Sequence, residues 1–518
     1  MSQKRLKKIR IIVSLAFFLS ITLLFADITE SLPPAFGTVF TSLQIIPSLL
    51  KIVHFAGFAS LGLIVTIVLT LLFGRVYCSS ICPLGTYQDI IIRFSRRNRK
   101  RRWYKYKKPQ YALHYILLAF VVIAVLFNNM ILMNLLEPFS NFGRIVHTLL
   151  RPIVIILNNG LSFLVSIFDS TILYAIPFQK FSLFVFAPVI LFFALVTYLS
   201  FKHGRLFCNL LCPAGAILGL LSRISLFKMV INESSCTNCK LCEKVCKAKC
   251  IDSAAQKLDF SACIGCFNCV EACHTDGVVY EAVWNDKSPN AILATNESRR
   301  GFLRAMLPSV GAVLPAINIL KAEPTKSGYD ESRKYPVTPP GSLAIEHFSA
   351  NCTACQLCVA SCPTKVLQPV LFEYGIAGIL QPKMDFNTSY CNYDCIICTG
   401  VCPSGAILPL SVEEKKLTQL GKVKFFKDDC IVVTKKKECG ACSEHCPTKA
   451  VNMVLTEGLM LPEVKEAICI GCGACEHACP TQPRKAIYVA SNTIHLRAEK
   501  PQVKKVKQEK AVPEEFPF

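Results

Sequence analysis

Residues 236–246 read Cys236-Thr-Asn-Cys239-Lys-Leu-Cys242-Glu-Lys-Val-Cys246. The C-x2-C-x2-C-x3-C spacing recurs at Cys263, Cys266, Cys269, Cys273; at Cys352, Cys355, Cys358, Cys362; and at Cys469, Cys472, Cys475, Cys479. Two variants follow the theme at Cys391, Cys395, Cys398, Cys402 and at Cys430, Cys439, Cys442, Cys446. A 4Fe–4S cluster takes four thiolates: a short loop supplies three and a more distant cysteine the fourth. Six quartets therefore imply about six such clusters and an electron-transfer role. Zinc sites usually join two C-x2-C pairs across a longer gap, which leaves the third cysteine of each run without a purpose. Disulfides give no reason for the repeat. Cys250 fits no group and reads as a buried spare thiol. No C-x-x-C-H haem signature, G-x-G-x-x-G fingerprint or G-x4-G-K-[ST] loop is present, so the sequence gives no sign of covalent haem or bound nucleotide.

Outward from the cysteines the chain turns apolar. It has 518 residues, 52% of them hydrophobic, too many for one ordinary soluble core. Apolar runs at about 11–27, 49–73, 112–136 and 181–201 predict four membrane spans. Basic residues cluster before the first (Lys4, Arg5, Lys7, Lys8, Arg10), after the second (Arg96 to Lys108) and after the fourth (Lys202, Arg205). This places the N-terminus and those loops on the cytoplasmic side. It also absorbs much of the net charge of +22 without a nucleic-acid partner. Residues 137–180 are then expected outside, along the interface or re-entering, with an even number of crossings. Ser298-Arg299-Arg300-Gly301-Phe302-Leu303, followed by an apolar stretch, matches a twin-arginine export signal and predicts a fifth, signal-anchor span.

The expected fold is thus an α-helical membrane domain with α+β, bacterial-ferredoxin-like domains on both sides. The divisions are a four-span domain (1–230), a cytoplasmic two-cluster domain (231–285), the signal-anchor (297–321), a linker (322–344), an extracytoplasmic four-cluster domain (345–495) and a disordered tail (496–518). The setting is a bacterial inner membrane.

A seventh quartet lies in the membrane domain. Gly74-Arg75 precedes Cys78-x3-Cys82-Pro83, and Gly204-Arg205 precedes Cys208-x3-Cys212-Pro213. The two halves form an internal repeat. Three readings stay open for the four cysteines: ligands of a further iron–sulfur centre, a thiol–disulfide relay, or structural helix ends.

Together these motifs resemble the NapH/NapG-type ferredoxin family, as a fusion of a NapH-like membrane protein (1–280) with a NapG-like exported ferredoxin (297–490). The NosR and CcoG membrane iron–sulfur proteins are relatives. The resemblance implies electron flow from the quinone pool to a periplasmic reductase or cytochrome, within a lipid membrane and a larger complex. It implies, as the alternative, reducing power for maturation of a partner metalloenzyme. It also implies exchange of fourth ligands between paired groups. Cys273 would complete the Cys236 cluster and Cys246 the Cys263 cluster. In the outer domain the exchange would be nested, the Cys352 group with the Cys469 group and the Cys391 group with the Cys430 group. If quinol is oxidised here, His54, Glu137, His147 and His114 are the proton-accepting candidates near span ends. An interfacial polar role is the simpler reading for each. The bilayer separates inner from outer clusters, and the seventh quartet, placed at the inner face, is not expected to bridge them.

Overall fold

The computed structural model describes residues 3–29, 32–54, 61–98, 105–167, 174–178, 183–283 and 335–500. The twin-arginine stretch and signal-anchor, linker residues up to 334 and the tail beyond 500 lie outside them.

Among the described residues of the apolar N-terminal part, thirteen α-helices follow one another: α1 (Gln3–Ala26), α2 (Pro34–Ser42), α3 (Ile45–His54), α4 (Leu61–Phe73), α5 (Tyr77–Ser80), α6 (Pro83–Asn98), α7 (Tyr111–Leu126), α8 (Ile131–Leu136), α9 (Pro138–Ile145), α10 (Arg151–Ser166), α11 (Leu183–His203), α12 (Leu206–Leu210) and α13 (Pro213–Leu221). By length and composition, Arg5–Ala26, Pro138–Ser166 and Val185–His203 suffice to cross a membrane. The pair α2–α3, bent by 96°, would make a fourth.

The first and last expected spans thus contain helices of sufficient length, whereas the helix within the run 112–136 is shorter. α7 has 16 residues, ~24 Å at about 1.5 Å per residue, short of a hydrocarbon core of about 30 Å. It stops because Asn128 turns left-handed, with φ 57°, a conformation asparagine tolerates well. Within the run 49–73 the described helices are α3, up to His54, and α4, of 13 residues; residues 55–60 lie outside the described residues. Conversely, the stretch expected to lie along the interface is helical from Pro138 to Ser166. Pro138 opens α9 at its first position, where a proline loses no hydrogen bond. The Glu137 carboxylate caps the helix by accepting from the backbone N–H of Phe139 (3.0 Å) and of Ser140. A π turn at Val146–Leu150 joins α9 to α10 and puts Pro152 in another first turn.

The first cluster module follows α13. Strand β1 (Phe227–Ile231) pairs antiparallel with β4 (Val278–Ala282), in register Phe227↔Ala282 to Ile231↔Val278. Between them lie α14 (Leu241–Val245), the hairpin β2 (Ile251–Asp252) and β3 (Lys257–Leu258), and α15 (Asn268–Ala272). The second module, 335–500, contains two hairpins, β5 (Leu367–Pro369) with β6 (Pro382–Met384) and β8 (Val451–Thr456) with β9 (Leu459–Val464). β7 (Thr418–Phe425) pairs with β10 (Ile487–Arg497) and ties its halves together.

The modules pack at opposite ends of α1. Lys7, in its first turns, pairs with Glu271 of the first module. Phe25, near its other end, meets Gly143 where the Cys355 carbonyl of the second module also approaches. The first module is fixed further by Asp89, which is largely covered and bonds Arg10 (2.9 Å), Arg205 (2.9 Å) and Lys247 (3.0 Å). Burial alone would raise this carboxyl's pKa, but Arg205, Lys247 and Arg10 together hold it well below the usual carboxylate range. Its stabilising contribution is thus fully present above the unfolded value and is lost only as pH falls through the depressed one. Arg96, from the basic loop, donates to the Val245 carbonyl at 3.2 Å, so part of that positive run serves docking as well as topology.

Asp89→Asn strands three cations at a buried site. It should destabilise the packing of residues 227–283 by about 3–5 kcal/mol, the usual penalty for breaking one side of a buried ion pair. Thermal unfolding of the purified protein, with protease sensitivity of that module, measures it.

Candidate iron–sulfur sites

The four regular ferredoxin loops share one backbone signature. In the four regular runs the residues flanking the middle cysteine are left-handed: Asn238 and Lys240, Gly265 and Phe267, Ala354 and Gln356, Gly471 and Gly473. Alternation of right- and left-handed residues turns successive N–H groups inward, making a nest for an anionic cluster. Only two of the four loops use glycine here. The others hold ordinary side chains in a conformation that costs roughly 1–2 kcal/mol per residue. A third left-handed residue follows three positions after the last cysteine at Lys249, Asp276, Lys365, Gly405 and Lys449.

Four cavities of ≈ 300–400 Å³ are each lined by thiols. One gathers Cys236, Cys239, Cys242 and Cys273, and another Cys246, Cys263, Cys266 and Cys269. The first module thus groups its thiols as the implied exchange requires. In the second module the implied nesting is overturned. Cys391, Cys395 and Cys398 share a cavity with Cys362, and Cys430, Cys439 and Cys442 share one with Cys479. Conversely, Cys402 acts electrostatically on Cys352, Cys355 and Cys358, and Cys446 on Cys469, Cys472 and Cys475. Groups adjacent in sequence exchange ligands because each pair folds around its own hairpin, β5–β6 or β8–β9.

The cavities fit the cluster. Thiols face a space with apolar walls: four beside Val366, Leu367 and Met384 in one, and five, Cys250 included, beside Met229, Ile251 and Phe267 in another. Among the described residues, no three His, Cys, Asp or Glu side chains could share a single metal ion. Burial pushes the free thiols up, Cys472 to about 12 and both Cys391 and Cys442 to about 11. The ligating thiolates thus become favourable only with metal present, and loading is coupled to folding.

Cys250 is the ligand-shell residue that spacing left unassigned. It is buried with its Sγ 3.6 Å from that of Cys246. Its S–H bond lowers the Cys246 thiol to about 7, against the opposing effect of burial and with help from backbone N–H groups. A cysteine four residues past a ligand, on the loop that turns at Lys249, is the signal that could have revealed it.

The seventh quartet is also brought together. Cys78, Cys82, Cys208 and Cys212 are all buried and act electrostatically on one another. Helices α6 and α13 both start from it, and the Cys212 sulfur caps α13 by accepting from the Gly215 N–H at 3.3 Å. The two halves interlock. Arg75 Nη2 lies 3.9 Å from Cys78 Sγ and donates to the Cys208 carbonyl at 3.1 Å. Arg205 Nη1 lies 3.8 Å from Cys208 Sγ and donates to the Cys78 carbonyl at 3.1 Å. Gly85 and Gly215 permit this crossing: a Cβ on either would fall 2.3 or 2.2 Å from those cysteines' own carbonyl oxygens.

The four proton-acceptor candidates occupy structured positions. Glu137 caps α9. His147 Nδ1 lies 3.1 Å from Gln356 Oε1 and His114 Nε2 lies 3.1 Å from the Cys212 carbonyl. His54 ends α3.

The family model of a 4Fe-4S binding domain matches residues 55–102 and 184–232, and those of 4Fe-4S dicluster domains match 351–407 and 437–483. The chain is 30% identical over 228 residues to MJ0750 of Methanocaldococcus jannaschii, covering 44% of this chain and 80% of that protein. It is 28% identical over 136 residues to the ferredoxin-type protein NapF of Escherichia coli K12, 26% of this chain and 74% of NapF. It is 27% identical over 187 residues to the ferredoxin-type protein NapG of the same strain, 33% of this chain and 77% of NapG. No solved structure matches.

Removing the Cys250 S–H bond tests the local electrostatics. Cys250→Ala should leave iron per chain unchanged and shift one cluster to a more negative midpoint potential, because hydrogen bonds to ligand sulfurs stabilise the reduced form. Redox titration followed by electron paramagnetic resonance checks it.

Proposed function

This chain belongs to the NapH/NapG-type ferredoxin family, and from that premise we propose that it takes electrons from membrane quinol and delivers them to a redox partner outside the cytoplasm. Its coarser character is that of a multi-cluster ferredoxin-type electron-transfer protein with apolar helices suited to a membrane. Bound clusters supply one-electron redox chemistry at the thiolate quartets. The chain's own residues set the distances, exclude water and fix the charge around each.

One observation carries the reading. A single buried core includes Cys266 of the first module, the helices α1, α4 and α11, and Cys355 of the second module. Modules meant to act independently need no common core. Their placement at opposite ends of α1, with the basic residues gathered at its N-terminal end, supports one module on each side of the membrane. The second module would be the exported one, by the twin-arginine route that Arg299 and Arg300 suggest.

Donation by quinol is tested with the full chain, purified anaerobically in lipid. Adding a quinol should bleach the visible iron–sulfur absorbance, and an impermeant oxidant should restore it. Clusters that dithionite reduces but no quinol ever does would overturn the quinol reading. It would favour a role in supplying electrons for the maturation of a partner.

A further inference from the structure

The ligand runs of the second module follow one another in a line. The run that starts at Cys352 is held against the helices: Arg151 donates to the Ala360 carbonyl at 2.6 Å, and a Cβ on Gly143 would fall 2.8 Å from the Cys355 carbonyl. The last cysteine of that run, Cys362, lines the next cavity with Cys391, Cys395 and Cys398. The Cys391 N–H donates to the Cys472 carbonyl at 3.0 Å, which joins this cavity to the run starting at Cys469. The last cysteine of that run, Cys479, lines the cavity of Cys430, Cys439 and Cys442, where the series ends. Its two ends differ in exposure. Cys352, Cys355 and Cys358 are buried, whereas Cys439 and Cys442 are half-buried.

The end of the line also carries a loop of its own. Cys430 and Cys439 are spaced C-x8-C where the regular runs have C-x2-C, and the insert reads Ile431-Val432-Val433-Thr434-Lys435-Lys436-Lys437-Glu438. Val432 is buried under one helical turn, Ile431–Thr434. The chain then turns at Lys436, with φ 53°, and Thr434 to Glu438 are all exposed. No other ligand run of this module contains a lysine or arginine. Lys422, Lys424 and Lys427 each pair with a glutamate, but among the described residues Lys435, Lys436 and Lys437 form no ion pair. Arg484 is a further exposed cation, between the cavity-lining residues Thr481 and Ala486. The insert holds one acid, Glu438, and Asp428 and Asp429 precede Cys430 in the chain. Surface lysines without partners add little to stability. What they do change is the rate at which a charged partner arrives.

We propose that the insert 431–438 is the docking surface through which the second module hands electrons to an acidic, water-soluble redox protein. The inference rests on the electron-transfer reading above and adds to it the point of exit and the charge of the partner. One electron passes from the site of Cys430, Cys439, Cys442 and Cys479 to the partner's oxidised centre, which is reduced by it; no bond is made or broken. Redox encounters of this kind bury little surface, so complementary charge governs how fast they form.

The test uses the full chain in neutral lipid, and again in lipid with anionic headgroups. The chain is reduced with dithionite and freed of the excess, so quinol plays no part. It is mixed with oxidised cytochrome b5, an acidic haem protein, or with oxidised cytochrome c, a basic one. The unaltered chain should reduce cytochrome b5 at a rate that falls as salt is raised. Carbodiimide should cross-link cytochrome b5 carboxylates to Lys435, Lys436 or Lys437. Lys435→Glu, Lys436→Glu and Lys437→Glu together should slow the reduction of cytochrome b5 by roughly tenfold or more at low salt. They should leave iron per chain unaltered and the rate with cytochrome c at least as high. A more negative cluster would speed both transfers, so slowing with cytochrome b5 alone reports docking. If the triple variant loses iron, Lys436→Gln serves instead, with a smaller slowing in the same direction. An unaltered cytochrome b5 rate with full iron overturns the docking surface and leaves the electron-transfer reading standing. So does a slowing seen only in anionic lipid, which makes the loop a membrane contact. A reduced, unaltered chain that passes electrons to neither cytochrome overturns both.

Discussion

Two arginines cross-link the halves of the membrane domain, and the rest of the molecule is arranged around them. Arg75 and Arg205 each reach from one C-x3-C-P element to the cysteine carbonyl of the other. Both are buried, so neither can be satisfied by water. Each must find its acceptors and counter-charge within the protein. Arg205 finds Asp89, which also collects Arg10 from α1 and Lys247 from the first module. Arg75 finds Asn209, Ser261 and the thiols. One constraint thus sets the helix packing, the docking of a cluster module and the surroundings of the quartet.

The second module is docked by a related device. Glu137, Arg144, His147 and Arg151 are buried on or beside the helix 138–166. Arg151 donates to the Ala360 carbonyl at 2.6 Å and His147 meets Gln356. A polar face on an apolar helix would be unfavourable against lipid. Here it is covered by the loop that carries Cys352, Cys355 and Cys358, so the membrane domain and a ligand loop satisfy each other.

Much of this was legible in the residues. Cysteine spacing picked out the cysteines that line the four thiol cavities, apart from Cys250, and the Gly-Arg repeats flagged the seventh quartet. What failed did so for physical reasons. Ligand exchange in the second module was assigned as nested, because spacing records distance along the chain and not which hairpin encloses which loop. The stretch 137–180 was expected along the interface or re-entering, and its continuous helix at 138–166 was not foreseen, because Pro152 and Asn158-Asn159-Gly160 look disruptive. In the fold the proline falls just after a π turn. The asparagine side chains bond the carbonyls of Tyr174 (3.0 Å) and Ile176 (2.9 Å). The roles of His147 and Arg151 were hidden, since their partners lie more than 200 residues away.

The most direct test of the central claim is an iron and acid-labile sulfide count on the anaerobically purified full chain, with its paramagnetic resonance spectrum before and after reduction. Six ferredoxin-type quartets predict on the order of 24 iron atoms per chain, with matching sulfide, and one-electron signals that appear and vanish reversibly. A chain that carries zinc in place of iron, with no visible absorbance and no signal on reduction, would contradict the account.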